Sequence, residues 1–525
     1  MTATETLEET ICRNPATGEE IGVSPLHTVD DLRMAIDRAR TAQPEWAATP
    51  VKVRAAAIRR VRDIVAQRAD ELTETISRDN GKTLTDALAT EVLPAAMAAD
   101  YYARNAIKFL KDRKLRPASV LLGNKKSRIH HVPYGVVGII SPWNYPLAIP
   151  FSEVVMALLA GNSVVLKVAT QTQLVGRAIE RLFHDAGLPK GVFTYVNLPG
   201  RVAGDAFLEA GVNKLFFTGS VSVGKQLMAK AAKTLTPLVL ELGGNDAMLV
   251  CPDANLVRAA GGAVWAGFQN AGQSCGGVER VYVHAAVYDA FLEKLAAKVQ
   301  SLRVGADHSR HGADMGCMTT AEQARKVQEH VEEAVAAGAA VFAESSLPEG
   351  AGETLLPARV LTGVDHTMRI MREETFGPVL AVMKVADMEE ALRLANDSDL
   401  GLTASVWSKN RREADRLARR IQAGVVMIND HLMSHGLAET PWGGFKQSGI
   451  GRTHGQLGFD EMTQPQCIVD DTLGFLNRNL WWPPYDPDVY AGVRGLINLL
   501  YGQKLATRLS GLSRLTKVLP RTWRK

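Results

Sequence analysis

Cys275 stands alone in the stretch FQNAGQSCGGVER, residues 268–280, between Ser274 and Gly276. A thiol set among small residues can be approached by a bulky electrophile, and no neighbouring thiol is there to oxidise it. The plainer alternative is a small buried hydrophobe, the commoner role of a free cysteine. Glu241, in ELGGND, precedes two glycines that let the backbone pack closely, and its carboxylate could serve as a general base; an ordinary surface acid is the alternative. Asn144, in PWNYP, could offer its side-chain NH2 to an oxygen gaining negative charge, or could simply shape a turn. A thiolate, a base and an oxyanion donor together form the set needed to attack a carbonyl carbon and then release the product with water.

Such groups need a scaffold whose loops converge. Short apolar runs at 136–140, 163–167, 192–197, 214–217 and 237–240 alternate with helical patterns. This predicts parallel α/β units in a doubly wound sheet, with ligands at the strand C-terminal ends. Lys167 ends one of these strands, where a ribose or phosphate would lie; a solvated lysine is the alternative. TGSVSVGK follows another, and Gly219 and Gly224 flank its turn into a helix. Small residues there let backbone NH groups and the helix N-terminus face a diphosphate, although the pattern is not GxGxxG. Long helices are predicted over 51–78 and 83–111, and a mixed extended stretch over 116–133, read as a surface hairpin or an intersubunit strand. Beyond Cys275, strands near 281–284, 340–343, 402–407 and 424–429 alternate with helices to give a second α/β unit.

The chain has 525 residues, 46% hydrophobic and 22% charged, which suits a globular protein of two or three domains. Its five cysteines, Cys12, Cys251, Cys275, Cys317 and Cys467, are scattered without CxxC or His-flanked spacing. A disulfide framework and a metal site are therefore not expected, and a reducing compartment is. The N-terminus MTATETLEETI lacks an apolar core, and no apolar run reaches the ~18 residues needed to cross a bilayer. The expected location is cytoplasmic, or peripheral on the inner membrane surface. Residues 490–525 carry eight basic residues (Arg494, Lys504, Arg508, Arg514, Lys517, Arg521, Arg524 and Lys525) and no acidic one, so the net charge of +4 belongs to a tail on a mildly acidic body. Nucleic-acid binding by the main fold is not supported.

Eight motifs stand in order between residues 14 and 452: NPATGE, PWNYP, GNSVVLK, FTGSxxxG, ELGG, GQxC, EETFGP and PxGGxKxSGxGR, within a match that covers about residues 10–473. In them the chain resembles the aldehyde dehydrogenase superfamily. The resemblance implies a Rossmann-type coenzyme domain (1–115 and 134–243), an α/β catalytic domain (244–445), and oligomerisation strands (116–133 and 463–473) of a homodimer or homotetramer. It implies Cys275 as nucleophile, Glu241 as base, and Asn144 with the Cys275 backbone NH as oxyanion hole. It further implies that Lys167 holds the adenosine ribose, that Gly219, Ser220 and Gly224 form the diphosphate turn beside Trp143, and that Glu374 and Phe376 hold the nicotinamide ribose and ring. Glu241 argues against coenzyme-A acylation, since CoA-dependent relatives generally lack this base.

Two departures from the family pattern carry information. Many relatives have a glutamate where this chain has Thr170, and its absence removes the repulsion of a 2′-phosphate, so use of NADP is expected, with tolerance of both NADP and NAD as the alternative. Asn245-Asp246 follow ELGG where Lys-Ser is common, a change without an explanation in the sequence. The substrate tunnel is expected from Tyr145, Ile149, Ser152, Gln269, Ser274 and the loop 431–440, whose His431 and His435 read as surface residues or, alternatively, substrate contacts. No arginine occurs between Asn144 and Asn162, which disfavours a dicarboxylic semialdehyde and favours an uncharged aliphatic or aromatic aldehyde. The tail 475–525, with LWWPPYDP and apolar stripes beside basic residues, predicts a basic amphipathic helix that adsorbs to anionic membrane or packs on the protein. A semialdehyde dehydrogenase and a catalytically silent membrane scaffold are the rival readings; the intact Asn144, Glu241 and Cys275 weigh against the second.

Overall fold

A computed structural model describes residues 8–306 and 311–523. The N-terminal residues 1–7, together with Arg524 and Lys525 of the basic tail, lie outside the described residues. The fold is α/β, built on two mainly parallel sheets in a unit formed by residues 1–110 and 132–464.

The first sheet has six strands in the order Gly449–Ile450, Leu238–Glu241, Lys214–Thr218, Val136–Ile140, Ser163–Lys167, Phe193–Tyr195. Every pairing is parallel except that of Gly449–Ile450 on Glu241 and Leu240. Val136–Ile140 and Ser163–Lys167 are buried along their whole length, which is why they read as unbroken apolar runs and not as an alternation. The strand order reverses between Val136–Ile140 and Lys214–Thr218, so the loops leaving their C-terminal ends, Ser141–Asn144 and Gly219–Ser220, open a crevice.

The second sheet runs Ala340–Glu344, Arg359–Thr362, Val379–Val385, Val278–His284, Asp246–Val250, Thr403–Trp407, Val425–Ile428. Only its edge strand Ala340–Glu344 is antiparallel. Leu242–Asn245 carries the chain from the end of the first sheet to the start of the second. Cys275 lies just before the central strand Val278–His284, so the C-terminal ends of one sheet and the N-terminal ends of the other supply the same loops.

Local chemistry sets the helices. The helix Val29–Ala48 is capped by Thr28, whose hydroxyl accepts from Asp31 N at 3.1 Å while the Asp31 carboxylate accepts from Thr28 N at 2.8 Å. The helical pattern of 51–78 is two helices, Val51–Gln67 and Ala69–Asn80, and that of 83–111 is interrupted by a wider turn at Leu88–Val92. That turn aims Glu91 inward, where it pairs with the fully buried Lys82 at 2.6 Å.

Residues 111–131 and 465–525 form a second compact unit. Its three-stranded sheet orders Thr463–Asp471, Lys125–Pro133, Arg113–Lys114, with Asn124 Nδ2 donating to Asp471 at 2.6 Å. The tail is two helices, not the one that its apolar stripes suggested. Pro487–Tyr501 and Leu505–Val518 pack on each other through Gly492, Gly495 and Gly511, whose missing side chains allow the close approach. Leu480, Val489 and Val518 form the core of this hairpin. Among the described residues no helix is long and apolar enough to cross a membrane, and no cluster of three metal-ligating side chains occurs.

Candidate active site

The backbone that delivers Cys275 is strained. Asn270, Ala271 and Gly272 are consecutively left-handed, with φ of 54°, 53° and 72°. Non-glycine residues occupy this region only where the surroundings insist. Here the Asp86 carboxylate accepts from Asn270 N at 2.8 Å and from Gln269 Nε2 at 2.9 Å. Gln273 ties the loop to a neighbouring segment, accepting from Thr319 N at 2.9 Å and donating to Cys317 O at 3.3 Å. His431 holds the far side: its ring bonds the Ser405 hydroxyl at 2.7 Å and lies 3.1 Å from Gly276 O. His431 is therefore a buried structural residue and not a surface one, and burial pushes its pKa down to about 3.

Asn144 is fixed from both ends. Its side-chain NH2 donates to Gln273 O at 3.1 Å, and its own carbonyl accepts from Lys82 and from Asn270 Nδ2 at 2.9 Å. Tyr145 lies under Lys82 Nζ, 4.2 Å from the ring centroid, and donates its hydroxyl to Gln269. The Lys82–Glu91 pair thus positions the loop: Glu91 also accepts from Leu147 N and Ala148 N, each at 2.9 Å. Neither Lys82 nor Glu91 was singled out in the sequence, because a charged pair buried by long-range packing has no local pattern.

Glu241 ends the strand Leu238–Glu241 and is buried, with both carboxylate oxygens lacking a protein partner. Burial first, and then the charge of Glu153, raise its pKa well above the carboxylate range. Burial, with Glu374, Asp246 and Glu241 nearby, also raises the Cys275 thiol. At neutral pH the resting cysteine is a thiol, and forming the thiolate requires a proton acceptor.

Three cavities meet at Cys275. One, of ≈ 220 Å³, is lined by Trp143, Asn144, Gly219, Ser220, Glu374 and Phe376, among others. A second, of ≈ 20 Å³, joins Cys275 to Glu241. The third, of ≈ 130 Å³, is a tunnel with Tyr145, Ile149, Gln269, Ser274, Trp265 and Trp442 in its wall. Four of the five expected tunnel residues line it. Ser152 does not: it sits buried on the helix Ala148–Ala160, turned into the packing between elements. The tunnel also takes Leu93, Pro94 and Met97 from the helix Leu93–Phe109, distant in sequence and without a motif to mark them. His435 faces the tunnel instead of the surface, 5.0 Å from Trp442 and 4.9 Å from His454 between ring centroids, and burial takes its pKa down to about 4.

The residues of the larger cleft suit a dinucleotide. Ser220 caps the helix Val221–Ala231. A Cβ on Gly219 would meet the Phe217 ring at 2.5 Å, and one on Gly243 would meet the Glu374 carboxylate at 2.5 Å. Gly224 is inside the helix, packed on Leu242, and serves close packing without lining the cleft. Lys167 is buried at the end of its strand with no carboxylate partner, and burial lowers its pKa to about 8; an anionic or hydroxyl-rich ligand is what it lacks. Thr170 is exposed three residues on. Glu374 accepts from Gly244 N at 2.9 Å, and Phe376, at φ 55°, meets Trp143 edge to face at 5.5 Å. Glu279 holds that strained turn, accepting from Thr375 N at 3.0 Å and Phe376 N at 2.7 Å. Asn245 now has an account: it donates to Glu279 at 2.8 Å and to Glu373 O at 3.1 Å. Asp246 accepts from Thr403 N at 3.0 Å and Oγ1 at 2.8 Å, joining two strands of the second sheet.

A doubly wound sheet, a turn suited to a diphosphate and a cysteine at the foot of an apolar tunnel fit an oxidoreductase that uses a dinucleotide. The model of the aldehyde dehydrogenase family matches residues 1–468, and the chain belongs to that family. It is an NAD(P)-dependent aldehyde dehydrogenase, oxidising an aldehyde to the carboxylic acid. A Mycolicibacterium smegmatis protein, provisionally named succinate-semialdehyde dehydrogenase [NADP(+)], is 38% identical over 483 residues, 90% of this chain and 92% of that one. A Methylomonas 4,4'-diapolycopene aldehyde oxidase is 38% identical over 495 residues, 93% of this chain and 91% of that one. The crystal structure of succinate-semialdehyde dehydrogenase from Burkholderia pseudomallei superimposes with a TM-score of 0.84 at 35% identity, covering 88% of this chain and 95% of that one.

Proposed function

We propose that this enzyme oxidises a lipophilic aliphatic or aromatic aldehyde, with Cys275 as nucleophile, Glu241 as base and Asn144 as oxyanion donor. The observation that carries this reading is the tunnel: no Asp, Glu, Lys or Arg lines it, and His435 is neutral at neutral pH. The carboxylate of a dicarboxylic semialdehyde would lose its hydration there with no cation in return. Of the two substrate chemistries in the relatives' names, the 4,4'-diapolycopene aldehyde of the Methylomonas oxidase, which is not named as an acid semialdehyde, is the better match to such a wall.

Glu241 accepts the Cys275 thiol proton, and the thiolate adds to the aldehyde carbon. The Asn144 NH2 and the Cys275 backbone NH take the charge developing on oxygen. NADP or NAD, when bound, supplies the hydride acceptor. Cys275 is left as a thioester; Glu241 loses the first proton to solvent, then takes one from the water that hydrolyses the thioester. Lys167 and Gly219–Ser220 would hold the adenosine ribose and the diphosphate, and Glu374 and Phe376 the nicotinamide end. With Thr170 neutral and Lys167 unpaired, the 2′-phosphate of NADP is accommodated, in line with the NADP in the name of the Mycolicibacterium relative.

We also propose a homodimer or homotetramer at the cytoplasmic face of a membrane. The strand Thr463–Asp471 is a sheet edge with Val469 exposed, suited to pairing with a second copy. The tail hairpin exposes Trp481, Trp482, Leu505, Leu509 and Trp523 beside Arg494, Lys504, Arg508, Arg514 and Lys517, a surface complementary to an anionic bilayer.

The test is reduction of NADP or NAD by the purified protein with hexanal, benzaldehyde and succinate semialdehyde, and with Cys275→Ala as the control. The uncharged aldehydes should exceed the semialdehyde in kcat/KM by about 100-fold, and the alanine variant should be inactive. Preference for succinate semialdehyde would overturn the substrate assignment.

A further inference from the structure

Glu153 is a second buried carboxyl beside the base, without a task in the reaction above. It lies on the helix Ala148–Ala160, is 4% exposed and has no hydrogen-bond or ion-pair partner. Glu241 is buried as well, and neither of its buried oxygens has a protein partner. Both carboxyls line one small cavity of ≈ 20 Å³, together with Cys275, Thr218 and His454. That volume holds about one water, and the lining is polar enough to keep it. Two ionised carboxylates facing one water-sized space, with no cation between them, repel each other strongly, so the second ionisation is displaced to higher pH.

The other charges nearby do not relieve this. His435 and His454 face the cavity but are held neutral by burial. Arg452 draws Glu241 down less than burial and Glu153 push it up, and Glu461 opposes Arg452 while pairing with Lys214. On the neighbouring helix Val51–Gln67, Arg54 is spent on main-chain carbonyls, and Lys82, in the link before Leu84, is spent on Glu91. Lys167, on the adjoining strand, has no bond to either carboxyl, and Cys275 is itself a thiol at rest.

We propose that Glu153 and Glu241 share a single proton across this cavity, and that a neutral Glu153, donating through the water there, is what allows Glu241 to stand ionised as the base. This rests on the role proposed for Glu241. In the hydrolytic step a water O–H proton moves to the Glu241 carboxylate, the water oxygen bonds to the thioester carbon, and the C–S bond breaks with its electron pair on Sγ. The proton then passes from Glu241 to the departing sulfur, restoring the thiol. Glu153 keeps its proton throughout and makes or breaks no bond to substrate, so it is a positioning residue. Burial pushes the Glu153 carboxyl up to about 8.

The test is Glu153→Leu, which keeps the bulk but removes the donor, set against Glu153→Gln, which keeps a neutral donor. The acid limb of acyl-enzyme hydrolysis should move to higher pH by about one unit in E153L, whereas Glu153→Gln should leave it in place. A role in packing alone would lower the rate at every pH without moving the limb. Infrared spectroscopy reads the pair without any aldehyde: a wild-type minus E153Q difference spectrum at pH 7 should contain the C=O stretch of a protonated carboxyl. In E241Q, which leaves Glu153 intact, that band should titrate at lower pH than in the wild type. An unmoved acid limb, a missing difference band or an unchanged titration in E241Q each overturns the proposal. A normal band in a protein that turns over no aldehyde would instead remove the role of Glu241 as base.

Discussion

At the scale of single residues, the site is a set of polar groups kept short of partners. Glu241, Lys167 and Glu153 are buried without an ion-pair partner among the described residues, while Lys82, Glu91, Asp86 and Glu279 around them are engaged. Unsatisfied polar groups are costly, so their concentration in one place identifies where ligand and water complete the structure. Thr170 belongs to this scale. A carboxylate there would stand three residues from Lys167 and repel a 2′-phosphate. Thr170→Glu should reduce kcat/KM with NADP by about 10-fold or more and leave NAD little changed, measured by the rate of reduced cofactor formation at 340 nm. An equal loss with both cofactors would place the 2′-phosphate elsewhere.

At the scale of elements, strain is concentrated in the loop that carries the nucleophile. Gly272 is left-handed, and a Cβ there would lie 2.1 Å from Gly377 O, next to the strained Phe376. The cysteine loop and the nicotinamide turn therefore touch through backbone, with no side chain to yield. Gly272→Ala must push the two apart. It should lower the melting temperature and cost about 100-fold in kcat/KM, because a displacement of ~1 Å at a reacting centre has that effect. Wild-type activity at a lowered melting temperature would show that the loop's position is not what catalysis depends on.

At the scale of the whole molecule, the tail is the part least like the rest. Its two helices meet through glycines and leave the larger apolar and basic side chains outside. Removing residues 475–525 should abolish co-sedimentation with phosphatidylserine-containing vesicles, and raised salt should weaken the binding of the intact protein. Equal sedimentation of both forms would sink the membrane proposal. Light scattering of the full-length protein should return a mass of two or four chains.

Much of this was legible in the order of residues. The buried strands 136–140, 163–167 and 214–217 declare themselves by unbroken apolar runs, and the glycines of TGS and ELGG mark close backbone approaches, because both are local consequences of what each residue's own bonds permit. Cys275, Glu241 and Asn144 stand in short motifs for the same reason. Tertiary structure alone decided the rest. The tunnel wall formed by Leu93 and Met97, the inward turn of His431 and His435, the exclusion of Ser152, and the pairing of Lys82 with Glu91 all depend on which distant segments meet. The meeting of Glu153 with Glu241 is of this kind: 88 residues separate two glutamates that read in sequence as ordinary acids. Only the closing of a helix over a sheet edge makes them share a cavity too small for two charges.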